Sequence, residues 1–288
     1  MRTITRRQNP LVARFRTART GRSPRQHLLL DGLRLIVDAQ ATKTPIEVAL
    51  FSATELRGGE RRLSELADTL SASGVEVFAA SDAVIAATSP VRTPSGVVAL
   101  ATHRPHPLAR IISEAGSGLV VAAVGVQDAG NVGAVIRAAD AGGARAVVVA
   151  GGSADPFGWR ALRGAMGSSF RLPVAIVDDL AALIIAARQR GTQVVATVPR
   201  GGTGLYEADL TGPRLVLIGQ EGAGLERDLD AAADLRVSVP MRRRVDSLNV
   251  SVAAALIIYE ARRQTLRRRR GGGLRSGRRR QNVKRSDR

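Results

Sequence analysis

Along the first hundred residues the apolar positions switch between two periods. Short apolar runs at His27–Leu30, Ile46–Phe51, Val75–Ala79 and Gly96–Ala101 read as strands. Between them, Leu33–Ala39 and Arg61–Ser73 repeat their apolar residues at helical spacing, Asp82–Ala87 reads as a helical turn, and a short helix is predicted near Pro10–Ala18. Strands alternating with helices imply a layered sheet. Thr102–Gly118 interrupts the pattern: His103, Pro105, His106 and Pro107 read as a linker, and Gly116-Ser117-Gly118 as a turn. A second alternation starts at Leu119–Val124, a continuous apolar run suited to a buried parallel strand. It continues through helix Val132–Ala141, strand Ala146–Ala150, a helix near Trp159–Met166, strand Val174–Val177, helix Leu180–Arg190 and strand Gln193–Val198. Strands Leu215–Ile218 and Leu235–Val239 precede a last helix, Ser247–Gln264. The pattern is α/β throughout, in four stretches: a basic leader and small α/β domain (1–103), a linker (104–117), an open α/β domain (118–264) and a basic tail (265–288). The tail holds arginine and glycine with almost no apolar residues, so it is predicted to lack structure.

Composition narrows the function. With 288 residues and 44% hydrophobic content the chain can bury one large core or two ordinary ones. No uninterrupted apolar run reaches the roughly 18 residues of a membrane helix. The arginine-rich N-terminus has no apolar signal core, so secretion is not expected; a cytoplasmic location is the first reading, and the composition is also compatible with an organellar transit peptide. The absence of cysteine excludes disulfides, thiolate nucleophiles and zinc–thiolate sites. The three histidines, His27, His103 and His106, all precede the glycine-rich half, which argues against a His-based triad or metal site there. The net charge of +18 sits at the ends: residues 262–288 hold thirteen Lys/Arg and one acid, and residues 1–34 hold nine Arg and one acid. The intervening chain is close to neutral. Cationic ends favour a polyanion through counterion release. Aromatic residues make up only 3%, so base stacking on aromatic platforms is not the main mode of binding.

Three glycine-rich turns follow strands. Gln127-Asp128-Ala129-Gly130-Asn131-Val132-Gly133 leads into a helix whose N-terminus favours anions. Asn131 can cap that helix, and Arg137, about 1.7 turns further on, is either a ligand-gripping cation or half of a surface salt bridge. Gly219-Gln220-Glu221-Gly222-Ala223-Gly224-Leu225 lacks the Lys-Ser/Thr of a phosphate loop, and Glu221 would repel phosphate. No G-x-G-x-x-G follows the first strand of this half, so the dinucleotide fold is not indicated. The third segment runs from Val239-Pro240 through an arginine-rich turn to Ser247-Leu248-Asn249 at the head of an apolar helix, where Asp246 or Ser247 reads first as an N-cap. The order of the three turns, each at a strand end, suits a ligand site beyond the carboxyl ends of parallel strands.

Asn131-Val132-Gly133-Ala134-Val135-Ile136-Arg137, Gly219-Gln220-Glu221-Gly222-Ala223-Gly224-Leu225, and Pro240-Met241 followed by Ser247-Leu248-Asn249-Val250-Ser251 resemble the three signature motifs of the SpoU/TrmH-type RNA ribose 2′-O-methyltransferases of the SPOUT superfamily. The resemblance covers residues 119–264. Residues 27–101 resemble the small RNA-binding domain of rRNA-directed members, and the whole arrangement is similar to the thiostrepton-resistance type of 23S rRNA methyltransferase.

That resemblance implies a small N-terminal α/β RNA-binding domain, a C-terminal parallel-sheet methyltransferase domain with a trefoil knot, S-adenosylmethionine as cofactor, and a homodimer without metal or membrane. Gly219, Val239 and Leu248 would hold the adenosyl part. Asn131, Arg137, Glu221, Ser247 and Asn249 would form the catalytic set, and Arg163 matches a family arginine that handles substrate. Ala165 stands where many relatives carry Ser, so no role passes to it. The expected reaction is methylation of a ribose 2′-hydroxyl, a group only RNA offers, with 23S rRNA the first substrate. The alternatives are a tRNA-directed enzyme and a non-catalytic RNA-binding or ribosome-assembly protein on the same fold.

Overall fold

The computed structural model describes every residue except 22–26, 221, 223, 243–245 and 282–288, with no side chain beyond Arg268. The first ten elements are β1 (Arg2–Ile4), α1 (Pro10–Arg19), β2 (His27–Asp31), α2 (Leu33–Ala41), β3 (Ile46–Ser52), α3 (Ala53–Arg57), α4 (Arg61–Ala72), β4 (Glu76–Ala80), α5 (Asp82–Thr88) and β5 (Val97–Thr102). Then come α6 (Leu108–Ala115), β6 (Leu119–Val124), α7 (Ala129–Gly142), β7 (Ala146–Ala150), α8 (Trp159–Ala165), α9 (Ser168–Arg171), β8 (Val174–Val177), α10 (Leu180–Arg188) and β9 (Gln193–Thr197). The chain continues with β10 (Thr203–Gly204), β11 (Arg214–Ile218), α11 (Arg227–Ala231), β12 (Leu235–Ser238) and α12 (Val250–Gln281).

These elements form two compact units that interleave along the chain. One holds Met1–Pro107, Val126–Arg137 and Gly152–Ile176; the other holds Leu108–Gly125, Ala138–Gly151 and Val177–Arg288. The sequence pattern suggested serial domains; the structure instead assigns the first turns of α7, and α8 and α9, to the N-terminal unit.

The sheet of the first unit has the order β1-β4-β3-β5-β2. β1, β4 and β3 pair in parallel, and β5 runs antiparallel to both β3 and β2. Val97–Ala101 of β5 are buried throughout, as a central strand requires. Phe15, Leu29, Leu50 and Leu100 are core side chains, and Trp159 of α8 packs against the same cluster. That contact is the physical reason α8 belongs here: its apolar face covers the N-terminal core.

The other sheet has the order β10-β12-β9-β11-β6-β7-β8. The pairs β10–β12, β12–β9, β9–β11, β11–β6 and β6–β7 are all parallel. Val120–Val124, Ala146–Ala150 and Leu215–Ile218 are buried without alternation, the signature of strands covered on both faces. In this unit β9, β11 and β12 end at Thr197, Ile218 and Ser238, so the segments after them gather at one edge of the sheet.

Several sequence expectations need correction. The linker read over 104–117 contains helix α6, with Ile111 and Ala115 fully buried. Pro105 and Pro107 mark its start rather than a structureless run, since proline is compatible with the beginning of a helix. The last helix begins at Val250, not Ser247, and extends past Leu266 to Gln281, where no structure was predicted. Arginine is a good helix former, which allows the extension, although Gly271, Gly272 and Gly273 weigh against it. β1, α3, α9, β10 and α11 are short elements that the periodicity did not reveal.

Candidate active site

In the second unit, the loops after β9, β11 and β12 enclose a cleft of about 200 Å³. Its walls include Pro199, Gly219, Gln220, Val239, Ser247 and Leu248, and α12 contributes Val250, Ala253 and Ile257. Three segments far apart in sequence therefore meet, as ligand sites beyond parallel strand ends require. Gly219 is required by space: a Cβ there would stand 2.3 Å from the carbonyl carbon of Gly224 and 2.5 Å from the nitrogen of Leu225. The loop closes on itself, because Gln220 and Gly224 exchange backbone hydrogen bonds of 3.2 and 3.1 Å. Gly222 and Gly224 take φ values of +82° and +71°, a region that favours glycine. Bare backbone at Gly219, Gly222 and Gly224 thus lines the cleft. Glu221, expected in the catalytic set, lies outside the described residues, as do 243–245 of the arginine-rich turn.

The head of α12 departs from the sequence reading. Its cap is Asn249, whose Oδ1 accepts from the backbone N–H of Ser251 (2.9 Å) and Val252 (3.4 Å) and from the Ser251 hydroxyl (2.6 Å). Neither Asp246 nor Ser247 is the cap. Asp246 instead pairs with Arg200 at 3.0 Å, and Ser247 faces the cleft beside Leu248. A second opening continues from Thr197–Pro199 past Arg200, Asp230 and Arg236; Arg236 and Asp230 pair there at 2.9 Å.

Asn131 and Arg137 belong to the first unit. The cap of α7 is Asp128, which accepts from the Asn131 N–H at 2.8 Å, so Asn131 sits inside the first turn rather than capping it. Arg137 is exposed. Its Nη1 donates to the thioether of Met166 at 2.9 Å, not to a carboxylate. A thioether is a weak, uncharged acceptor, so it orients the guanidinium without neutralising it. Met166 ends α8 in a left-handed conformation (φ 47°, ψ 54°), uncommon for a non-glycine residue. α7 and α8 meet through small residues: a Cβ on Gly164 would lie 3.0 Å from the carbonyl oxygen of Gly130. Met166 and the α7–α8 contact had no signal in the sequence, because both depend on which elements pack together. Among the described residues, no group of three or more His, Asp and Glu side chains is placed to hold a metal ion.

The fold and the cleft define an α/β protein with a glycine-built ligand site at the carboxyl ends of parallel strands in one unit and, in the other, an arginine on α7 held by a thioether rather than a carboxylate. A profile of the SpoU rRNA Methylase family matches residues 118–259. The chain is 34% identical over 266 residues to an uncharacterised tRNA/rRNA methyltransferase of Synechocystis, covering 90% of this chain and 93% of that protein. It is 32% identical over 189 residues to the 23S rRNA (guanosine(2553)-2′-O)-methyltransferase RlmP of Bacillus subtilis, covering 66% of this chain and 73% of that one. The structure is similar to that of an AdoMet-bound rRNA methyltransferase from Sinorhizobium meliloti, with a TM-score of 0.80, 30% identity, and coverage of 91% and 97%. The chain belongs to the SpoU rRNA methylase family.

Proposed function

We propose that the protein methylates a ribose 2′-hydroxyl in RNA, with 23S rRNA as substrate and S-adenosylmethionine as donor. The observation that carries this reading is the cleft in which Gly219, Val239, Ser247 and Leu248 come together. Its backbone-rich glycine wall and the apolar sides of Ile218, Val239 and Leu248 fit a nucleoside with many hydrogen-bonding atoms. The likeness to an AdoMet-bound neighbour and to a relative named for 2′-O-methylation supports the same assignment.

Bound in this cleft, S-adenosylmethionine supplies an already activated methyl group. The residues of the chain then have to align the acceptor oxygen and manage charge. Gly219, Val239 and Leu248 hold the adenosyl part. Arg137 supplies a guanidinium, a planar cation with a fork of N–H donors. Its role is to grip the phosphate next to the target ribose and to stabilise negative charge developing on the 2′-oxygen. Asn131, Glu221 and Asn249 orient the arginine and the ribose, and Ser247 hydrogen-bonds substrate at the cleft wall.

The reading extends to a homodimer acting in the cytoplasm, with a trefoil knot in the parallel-sheet part. The dimer is supported by an apolar stripe on α12, where Val252 (48% exposed), Leu256 (36%) and Tyr259 (49%) recur at helical spacing. Among the described residues, no helix is long and apolar enough to cross a membrane.

Transfer of tritiated methyl from S-adenosylmethionine to 23S rRNA tests the function. Arg137→Ala is expected to keep cofactor affinity, measured by calorimetry, and to lose turnover by about 100-fold or more. Near-normal turnover would remove Arg137 from the catalytic set. Cofactor binding without transfer to any ribosomal RNA would leave a non-catalytic RNA-binding protein.

A further inference from the structure

The first unit contains a second pocket that no part of the reaction above uses. Its volume is about 140 Å³, and β2, α2 and α8 supply Asp31, Leu35, Asp38, Leu162, Arg163 and Met166 to its lining. We propose that this pocket receives the base of the nucleotide whose ribose is methylated, and that the base is guanine. The inference rests on the methyltransferase reading and deepens it by naming the nucleotide.

Position is the first argument. Met166 lines the pocket and also holds Arg137 through its sulfur. The pocket therefore ends at the residue assigned to the target ribose and its phosphate.

The lining is the second. Leu35 and Leu162 are buried and offer flat apolar contact, and a thioether packs favourably on an aromatic ring. The polar groups stand at the edges. Asp38 has one carboxylate oxygen, Oδ2, that is buried with no hydrogen-bond partner, and its Oδ1 lies 4.0 Å from Arg171. A buried acceptor without a donor is costly until a ligand supplies one. Asp31 has one oxygen engaged: Oδ2 accepts from the Ser89 hydroxyl at 2.6 Å. Burial raises its pKa, while Ser89 and the nearby Arg163 pull the other way. Arg34, also in the lining, and Arg163 form no hydrogen bond or ion pair among the described residues.

Base chemistry decides between the four nucleotides. Guanine presents two adjacent donors, N1–H and the 2-amino group, which match the two oxygens of one carboxylate, and its O6 and N7 accept from an arginine. Adenine and cytosine would turn a lone pair, at N1 or N3, towards a carboxylate. Uracil has a single N3–H between two carbonyl oxygens. The lining sets Asp31 and Asp38 against Arg34 and Arg163, so it offers donors and acceptors together rather than the purely cationic surface a phosphate favours. Asp38 is accordingly the carboxylate that reads the guanine edge, Arg163 donates to O6, and Asp31 shapes the pocket floor.

The test is methyl transfer to a 23S rRNA transcript, digestion to nucleosides, and chromatography of the label. All label is expected in 2′-O-methylguanosine. Placing inosine, which lacks the 2-amino group, at the mapped position should lower kcat/KM about tenfold for the wild-type protein. Asp38→Asn should lower kcat/KM for guanosine by a similar factor, leave S-adenosylmethionine affinity unchanged, and no longer distinguish guanosine from inosine. A merely structural Asp38 would lower both substrates equally and keep the distinction. Label in any other nucleoside overturns the guanine assignment, and full discrimination by Asp38→Asn overturns the reading role of Asp38; neither touches the methyltransferase reading. The wild-type inosine comparison decides the question even where the variant fails to fold. Cofactor binding with no label in any nucleoside overturns the methyltransferase reading, and this proposal with it.

Discussion

A Cβ on Gly133 would stand 2.2 Å from the carbonyl oxygen of Ala161 and 2.9 Å from the backbone nitrogen of Ala165. Both atoms are main chain, so neither can rotate away, and α7 could keep its approach to α8 only by shifting. Gly133→Ala is therefore expected to destabilise the protein by about 1–3 kcal/mol, the usual range for overpacking, despite the better helix propensity of alanine. Urea denaturation checks this, and unchanged or increased stability would show that the helices separate freely. Gly222 is the contrast, since nothing lies within 4 Å of an added Cβ and only its positive φ restrains it. The sequence places Gly133 in a turn motif. Its actual task, letting two helix backbones touch, becomes visible only when the partner helix is known. The same holds for Asn249: its place at a helix head was legible, but the choice of Asn249 over Ser247 as cap follows from where the helix starts.

At the scale of elements, α12 shows what holds the candidate cleft in shape. Val250, Ala254, Ile257, Ile258 and Ala261 form its buried face. One turn further, Glu260 is buried and accepts from Arg263 at 2.7 and 2.6 Å and from Gln264 at 2.8 Å. Gln264 in turn accepts from the Leu210 N–H and donates to the Ala208 carbonyl, both at 2.8 Å, which ties the helix to the 208–210 segment. The hydrogen bonds from Arg263 hold the Glu260 carboxyl below its ordinary value of 4.5, against the opposing effect of burial. A depressed carboxylate pKa adds stability that is present above the unfolded value and lost as pH falls through the folded one. Glu260→Gln should therefore lower Tm at pH 7, and its difference from wild type should shrink as pH falls below about 4.5. A difference that persists unchanged at pH 3 would refute this ionic contribution. Most elements of this kind were legible from periodicity, because strands covered on both faces and amphipathic helices impose it. α6 was not: the prolines before it read as a linker, and a helix of eight residues has too few turns to show a period.

The whole molecule sets the problem of assembly. Val252, Leu256 and Tyr259 lie on the side of α12 away from its buried face, and an exposed apolar stripe of this kind is the surface the proposed dimer would use. Sedimentation is expected to give twice the chain mass of 30.3 kDa, and Leu256→Arg to shift it towards the monomer while the far-ultraviolet spectrum is retained. A wild-type monomer at micromolar concentration would remove the dimer from the functional reading. The interleaved units also bear on the N-terminal residues. Trp159 packs on the N-terminal core, so residues 1–103 are part of the scaffold that holds α8 and Met166. Their role therefore reaches beyond that of a detachable substrate arm.

The α/β class, most element positions, the cationic ends and the three glycine-rich motifs are legible along the chain, because hydrophobic period, charge and glycine placement are local properties. Tertiary structure decided which helix covers which core, which residue caps α12, that Arg137 rests on a thioether, and that Asp31 and Asp38 share a pocket with α8. Most of those facts depend on contacts between elements, 29 positions apart for Arg137 and Met166 and far more for β2 and α8, and no local pattern encodes which of the many possible partners a given face will meet.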